Sequence, residues 1–349
     1  ASQVVVVTDN VDDLLDQGPF PRGVEVRHRK LLDQTQRELR EVKGTSVLIY
    51  VQTCAAEKRR RRKRKAFPNP PKRLMIASRV CEGCGDCGIK SNCVSIKPLE
   101  TDFGTKRVID QTACNKDYSC LNGFCPSFIT VTGDSEPLKG SDKGLTPPPP
   151  AEELPHVDYG TEGRIALTGI GGTGVVTVGA VLGMAAHLMG RHSLTLDQTG
   201  LSQKNGAVTN HLQIGLNPLN DRPARLPDGT VDTLVACDLL TGAGQATLAS
   251  LKPTVRVFAN TNVEPLAAFA KDPNQRPDAE TLLGDIKRWA AKALIVEQPV
   301  SDLALALLGD GMGTNFMVVG MAYQAGCLPV SAEAIEAAIR LNGVAADMN

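Results

Sequence analysis

Residues 164–189 read RIALTGIGGTGVVTVGAVLGMAAHLM. A strand over Arg164–Gly169, a loop over Gly169–Gly174 and a helix over Val175–Met189 follow from that order. Further strands are predicted at Ser193–Leu196, Ala207–Ile214, Thr233–Ala236, Val255–Ala259 and Lys292–Val296. Helices fill the gaps, notably Leu303–Leu308 and Ser331–Leu341, the latter with Ser331 to cap its start and Gly343 its end. Strands alternating with helices predict an α/β domain over 164–349 with a mostly parallel, covered sheet, Rossmann-like in character.

Gly169, Gly171, Gly172 and Gly174 follow a strand and open a helix, which meets the dinucleotide fingerprint in spacing and context. An acid is expected about 20 residues further on. Asp197 ends the next predicted strand. A tight strand-to-helix turn without nucleotide explains the same glycines. The polar run from Asp197 to Asn210, with Ser202, Gln203, Lys204, Asn205 and Gly206, leaves its strand near the same sheet edge, where it would meet a ligand or another domain.

Upstream, residues 133–163 are rich in Gly, Pro and Ser and include four consecutive prolines, Pro147–Pro150. Such a stretch favours polyproline II and has little to bury, so it is a linker. Before it stand seven of the ten cysteines, between Cys81 and Cys125. That density demands disulfides or metal. No secretory h-region and no uninterrupted apolar run of membrane-spanning length is present, so a soluble, reducing, cytoplasmic setting is expected.

Cys81, Cys84 and Cys87 repeat at intervals of three, Cys93 follows, and then come Cys114, Cys120 and Cys125-Pro126. This is the opening of a bacterial ferredoxin run, in which a tight loop wraps three thiolates round a cubane and the cysteine before proline in the other run completes it. One 4Fe-4S cluster would take Cys81, Cys84, Cys87 and Cys125. The second would take Cys93, Cys114 and Cys120, with Asp117 where a central cysteine is missing, either as ligand or as bystander. A carboxylate is harder than a thiolate, so that site would hold a 4Fe-4S cluster with one oxygen ligand or a 3Fe-4S cluster. Tetrahedral zinc is the competing reading, but it favours ligands in two pairs over a triplet. Gly83, Gly85 and Gly88 suit the bends of a cluster loop. Phe103, Phe124 and Phe128 are expected to pack around the clusters.

At the other end, residues 4–7 and 47–51 read as short strands, with helical spacing of Leu31, Leu32, Thr35 and Leu39 between them. Residues 1 to about 53 therefore look like the βαβ edge of an α/β domain, too small to stand alone comfortably. Lys58–Lys65 are eight consecutive basic residues, followed by prolines in a linker over 61–74. A solvated face, docking of an acidic partner or anionic cofactor, and nucleic-acid or targeting use are the readings of that run. Lys+Arg and Asp+Glu balance at 38 each, so no global field draws the chain to nucleic acid or an anionic membrane. Cys54, Cys237 and Cys327 stand singly and are expected as small buried hydrophobes. The five histidines lack metal-ligand spacing, and His187 is expected packed or partly exposed.

Three stretches together, Gln52–Lys58 with its basic run, Cys81–Phe128, and Gly169–Val208, resemble the large bacterial indolepyruvate ferredoxin oxidoreductases. These are a branch of the thiamine-dependent 2-oxoacid:ferredoxin oxidoreductases, and the resemblance covers nearly the whole chain. It implies that residues 1–60 are the end of a thiamine-diphosphate-binding α/β domain, 75–132 a ferredoxin-like domain, and 164–349 a gamma domain. It also implies that Gly169–Gly174 does not hold NAD. Ser202, Gln203 and Gly206 match the family's polar loop, whereas Lys204 and Asn205 depart from it and weaken any anion-binding role there. The implied reaction is oxidative decarboxylation of an arylpyruvate with coenzyme A, giving acyl-coenzyme A, carbon dioxide and two electrons that pass to ferredoxin.

Thiamine diphosphate and Mg²⁺ would belong to the complete enzyme, since no complete site for them is legible here. The chain is expected to be an internal piece of a longer polypeptide. Its partners would be ferredoxin and the remainder of the thiamine-dependent enzyme in a homo-oligomer, with neither membrane nor nucleic acid involved. An iron-sulfur flavoprotein or NAD-linked reductase using Gly169–Gly174, and a zinc-stapled nucleic-acid module using Lys58–Lys65, are the alternatives.

Overall fold

Val5, Val6 and Val7 are buried to 1% exposure or less, and a run of β-branched residues hidden on both faces forms the central strand of a small parallel sheet. The computed structural model describes residues 1–133, 162–200, 206–264 and 278–349. It divides into two compact units, Ala1–Pro70 with Asn115–Asp117, and Pro71–Cys114 with Tyr118–Asn349.

In the first unit β1 (Gln3–Thr8) leads to α1 (Val11–Leu15), β2 (Val24–His28), α2 (Leu32–Arg40), β3 (Ser46–Val51) and α3 (Ala55–Lys63). The sheet order is β2-β1-β3, all parallel. Thr35 and Leu39 of α2 are its buried positions, and Leu39 joins Val5 and Val7 in the core. The strand β2 is an addition to the expected pattern, because its two valines alternate with Glu25 and Arg27 over only five residues. Most of the basic run is helical. Glu57 lies in the first turn of α3 and Arg60–Lys63 in the last, which complements the helix dipole at both ends.

The second unit opens with β4 (Lys72–Ile76), α4 (Asp86–Ser91), a hairpin of β5 (Ile96–Thr101) and β6 (Gly104–Ile109), and β7 (Phe128–Thr132), which returns antiparallel to β4. Little apolar side chain is buried here: Leu74, Cys81 and Ile109 are the fully buried hydrophobic residues of this segment.

After residues that lie outside the described set, including almost all of the expected linker, come β8 (Glu162–Ile170), α5 (Val175–Leu188), β9 (His192–Thr199), β10 (Ala207–Gly215) and β11 (Val231–Ala236). The short helices α6 (Leu239–Gly242) and α7 (Gln245–Ser250) precede β12 (Leu251–Asn260), and α8 (Ala279–Trp289) precedes β13 (Leu294–Gln298). The chain closes with α9 (Val300–Leu308), α10 (Thr314–Gln324) and α11 (Ala332–Asn342). The six strands form one sheet, ordered β13-β12-β11-β8-β10-β9. Ile165, Leu167, Val235 and Phe258 face one core with α5, α10 and α11, while Ala166, Leu234 and Val257 face another with α7 and α8. Both faces are therefore covered, as continuous apolar strands require. Ser331 caps α11 through its Oγ, which accepts from Ala334 N at 3.3 Å, and Gly343 ends it at φ 70°.

One expectation about the sheet needs correction in detail. Most neighbours are parallel, but β10 runs against both β8 and β9. The link from Thr199 to Ala207 is too short for the crossover of about a dozen residues that a parallel neighbour needs.

Candidate functional site

Cys81 follows a turn in which the Ala77 carbonyl accepts from Val80 N at 3.0 Å and Cys81 N at 2.9 Å. Gly83 and Gly85 then take φ of 77° and 78°, the left-handed region that glycine enters without a Cβ penalty. A Cβ on Gly83 would also collide with the carbonyl oxygen of Thr105, so glycine is required twice over at that position. Gly85 starts α4, which carries Cys87.

Cys125 is distant in sequence and is brought back by the pairing of β4 with β7, in which Ile76 lies opposite Phe128. Ala77 N donates to Ser127 O at 2.8 Å and extends that pairing to the cysteine loop. Cys81, Cys84, Cys87 and Cys125, with Cys120 and Arg107, line one cavity of about 270 Å³. Burial pushes the Cys87 thiol up, the Gly88 N–H pulls it down, and the proximity of Cys81, Cys125 and Cys84 raises it further. The other three thiols thus lie within electrostatic reach of Cys87. Gly83 N approaches Cys81 Sγ at 3.4 Å, and Cys125 Sγ lies 2.9 Å from Ser127 Oγ.

Among the described residues no three or more His, Cys, Asp or Glu side chains converge on a point that would hold a single metal ion. Four thiols lining one cavity are a donor set of the kind an iron-sulfur cluster takes.

Cys93, Cys114 and Cys120 are half-buried. Asp117 is exposed and lies between Lys116 and Tyr118, which hold positive φ values of 51° and 60°. Of the expected aromatic packers, Phe103 is 88% exposed at the tip of the β5–β6 hairpin, whereas Phe128 and the 98% exposed Phe124 both line the thiol cavity. Cys237 and Cys327 are buried, with burial pushing Cys237 up to about 12, but Cys54 is exposed at the start of α3. His187 is exposed, and the imidazole of His211 is buried, its Nδ1 accepting from Leu226 N at 2.9 Å.

In the glycine-rich loop, Gly169 has no room for a Cβ beside the Val175 side chain, and Gly172 and Gly174 have φ of 87° and 103°. Gly171 N donates to Gly206 O at 2.7 Å and Thr173 N to Ile170 O at 3.2 Å, while Asn315 Nδ2 donates to Thr173 O at 3.0 Å. Asp197 accepts from Asn210 Nδ2 at 2.8 Å. It lies on β9, and β10 stands between β9 and β8, so it is not on the strand beside the glycine loop. Ser202, Gln203 and Lys204 lie outside the described residues. Sequence reasoning overlooked Arg107, whose place on the cavity depends on the hairpin register, and Asp238, which is buried after β11 and caps α6.

The chain thus combines a covered six-stranded α/β domain with a short segment that carries a thiol-lined cavity. Residues 164–349 match the family model described as pyruvate ferredoxin/flavodoxin oxidoreductase, and the chain belongs to that family, which acts on 2-oxoacids with ferredoxin-type acceptors. It is 26% identical over 177 residues to the indolepyruvate oxidoreductase subunit IorB of Archaeoglobus fulgidus, spanning 51% of this chain and 84% of the relative. To the same subunit of Pyrococcus horikoshii it is 27% identical over 189 residues, 52% of this chain and 86% of the relative. Pyruvate oxidoreductase subunit PORC of Thermotoga maritima aligns with a TM-score of 0.37 at 18% identity, covering 54% of this chain and 92% of that one. No helix among the described residues is long and apolar enough to cross a membrane.

Proposed function

We propose that this chain is the electron-transfer and scaffold part of a thiamine-dependent 2-oxoacid:ferredoxin oxidoreductase acting on indolepyruvate or a related arylpyruvate with coenzyme A. The observation that carries the reading is the convergence of Cys81, Cys84, Cys87 and Cys125 on one cavity. These four residues would hold a 4Fe-4S cluster. Cys93, Cys114 and Cys120, with Asp117, would hold the second, as 4Fe-4S or 3Fe-4S. Bound there, the clusters supply one-electron carriers between the organic reaction and ferredoxin.

The chain's own contribution is to wrap and shield. Gly83 and Gly85 let the loop close, the Gly83 and Gly88 N–H groups point to sulfur, and the β4–β7 pair delivers the fourth thiol. The scarcity of buried side chains between Pro71 and Thr132 supports the same reading, since so small a core needs a staple. Thiamine diphosphate and Mg²⁺ are assigned to the remainder of the enzyme, which with ferredoxin would be the partner in a cytoplasmic homo-oligomer. The Gly169–Gly174 loop acts as a structural turn or as a surface for protein or coenzyme A, for its Gly171 and Thr173 N–H groups are spent on backbone carbonyls.

Anaerobically purified protein is expected to contain about eight irons, or about seven with a 3Fe-4S site, with matching acid-labile sulfide. Stoichiometric zinc without sulfide would overturn the assignment and favour the zinc module. Tight NAD or FAD binding by the chain would instead favour the reductase alternative.

A further inference from the structure

Arg107 is 3% exposed and sits in mid-hairpin on β6, opposite Pro98. It lines the same cavity as Cys81, Cys84, Cys87 and Cys125. The strand is held there by shape: two residues earlier, the carbonyl of Thr105 occupies the space beside Gly83 where any side chain would begin. A guanidinium does not lose its proton in a protein, so a permanent positive charge belongs to the wall of the thiol cavity.

We propose that Arg107 is a tuning residue for the cluster held by Cys81, Cys84, Cys87 and Cys125, raising that cluster's affinity for an electron. The proposal rests on the cluster assignment above. Four thiolates outnumber the positive charge of a cubane core, and reduction by one electron adds a further negative charge without making or breaking a bond. A fixed cation close by stabilises the reduced form more than the oxidised form, since net charge and hydrogen bonds to sulfur are what set such potentials. The second cluster, whose thiolates come from Cys93, Cys114 and Cys120, should feel Arg107 much less.

The test is a redox titration of the full chain followed by electron paramagnetic resonance, with iron and sulfide measured on every sample. Arg107→Met is expected to weaken electron binding at one cluster about tenfold, ~59 mV for a one-electron couple, and to leave the other unchanged. Arg107→Lys, which keeps the charge, should stay near the parent. Unchanged potentials in a fully loaded Arg107→Met protein would overturn the proposal. So would an Arg107→Lys potential that falls as far as that of Arg107→Met, since packing rather than charge would then be responsible. If Arg107→Met takes up too little iron to titrate, Arg107→Gln takes its place in the same comparison. A parent without iron and sulfide defeats the cluster assignment itself, a result distinct from an unshifted potential.

Discussion

Asp117 stands three residues from Cys114 and three from Cys120, where a ferredoxin loop offers its middle ligand. Its neighbours Lys116 and Tyr118 both adopt left-handed backbone, at a cost of roughly 1–3 kcal/mol each for residues other than glycine. Strain of that kind collects at ligand clamps, although turn chemistry also favours aspartate. An oxygen ligand, or an open corner, is held less firmly than a thiolate. Mild oxidation should therefore convert the second cluster from four irons to three before the first cluster changes, and Asp117→Cys should suppress the conversion. Graded oxidation followed by electron paramagnetic resonance decides it. Equal iron loss in parent and variant, with no three-iron signal preferring the parent, would make Asp117 a turn residue.

At the scale of elements, α3 carries most of the basic run, spread around the helix, and is partly neutralised from within. Glu57 pairs with Arg60 at 2.7 Å and Arg61 at 3.0 Å, and Lys58 reaches Asp9 at 3.3 Å. If the remaining charge steers ferredoxin, replacing several of Lys58–Lys65 by neutral residues should slow ferredoxin reduction most at low salt. A screening length of about 10 Å at roughly 0.1 M weakens the attraction in any case. Identical salt profiles for parent and variant would leave α3 as a solvated face.

A second element-scale tie joins β5 to the segment after β12, where Lys97 pairs with Asp110 at 2.9 Å and with Glu264. Burial pushes the Asp110 carboxyl up, but the ammonium of Lys97 and donors from Thr112 and Ala113 hold it below the usual carboxylate range. A depressed carboxylate adds stability that is complete above its unfolded value and disappears as pH falls through the folded one. Lys97→Met is expected to cost about 2 kcal/mol near neutrality, between the values for exposed and buried pairs, and to flatten the loss of stability below about pH 4. Chemical denaturation across pH measures both.

For the molecule as a whole, stability is unevenly distributed. The six-stranded domain has a separate core on each face of its sheet. The Pro71–Thr132 segment buries only Leu74, Cys81 and Ile109 among its hydrophobic side chains. Metal binding is folding free energy when no core can replace it. Stripping iron with a chelator should therefore lower or abolish the calorimetric transition of the cysteine-bearing segment, while the domain over 162–349 keeps its own. A single unchanged transition after complete iron loss would show that the segment folds without a cluster.

The sequence by itself determined the α/β character of the 164–349 domain, its strand positions and the cysteine spacing. Those depend on local periodicity, caps and intervals, as with Ser331 and Gly343 at the ends of α11. It did not determine the strand β2, because five residues with two valines carry too weak a period. Only tertiary structure decided that β10 opposes both neighbours and separates Asp197 from the glycine loop. The same is true of Cys125 returning to Cys81 through the β4–β7 pair, and of Arg107 lining the thiol cavity. Each of these is a matter of which strand lies beside which and in what register, and backbone pairing between distant residues leaves no periodic mark on the sequence of either partner.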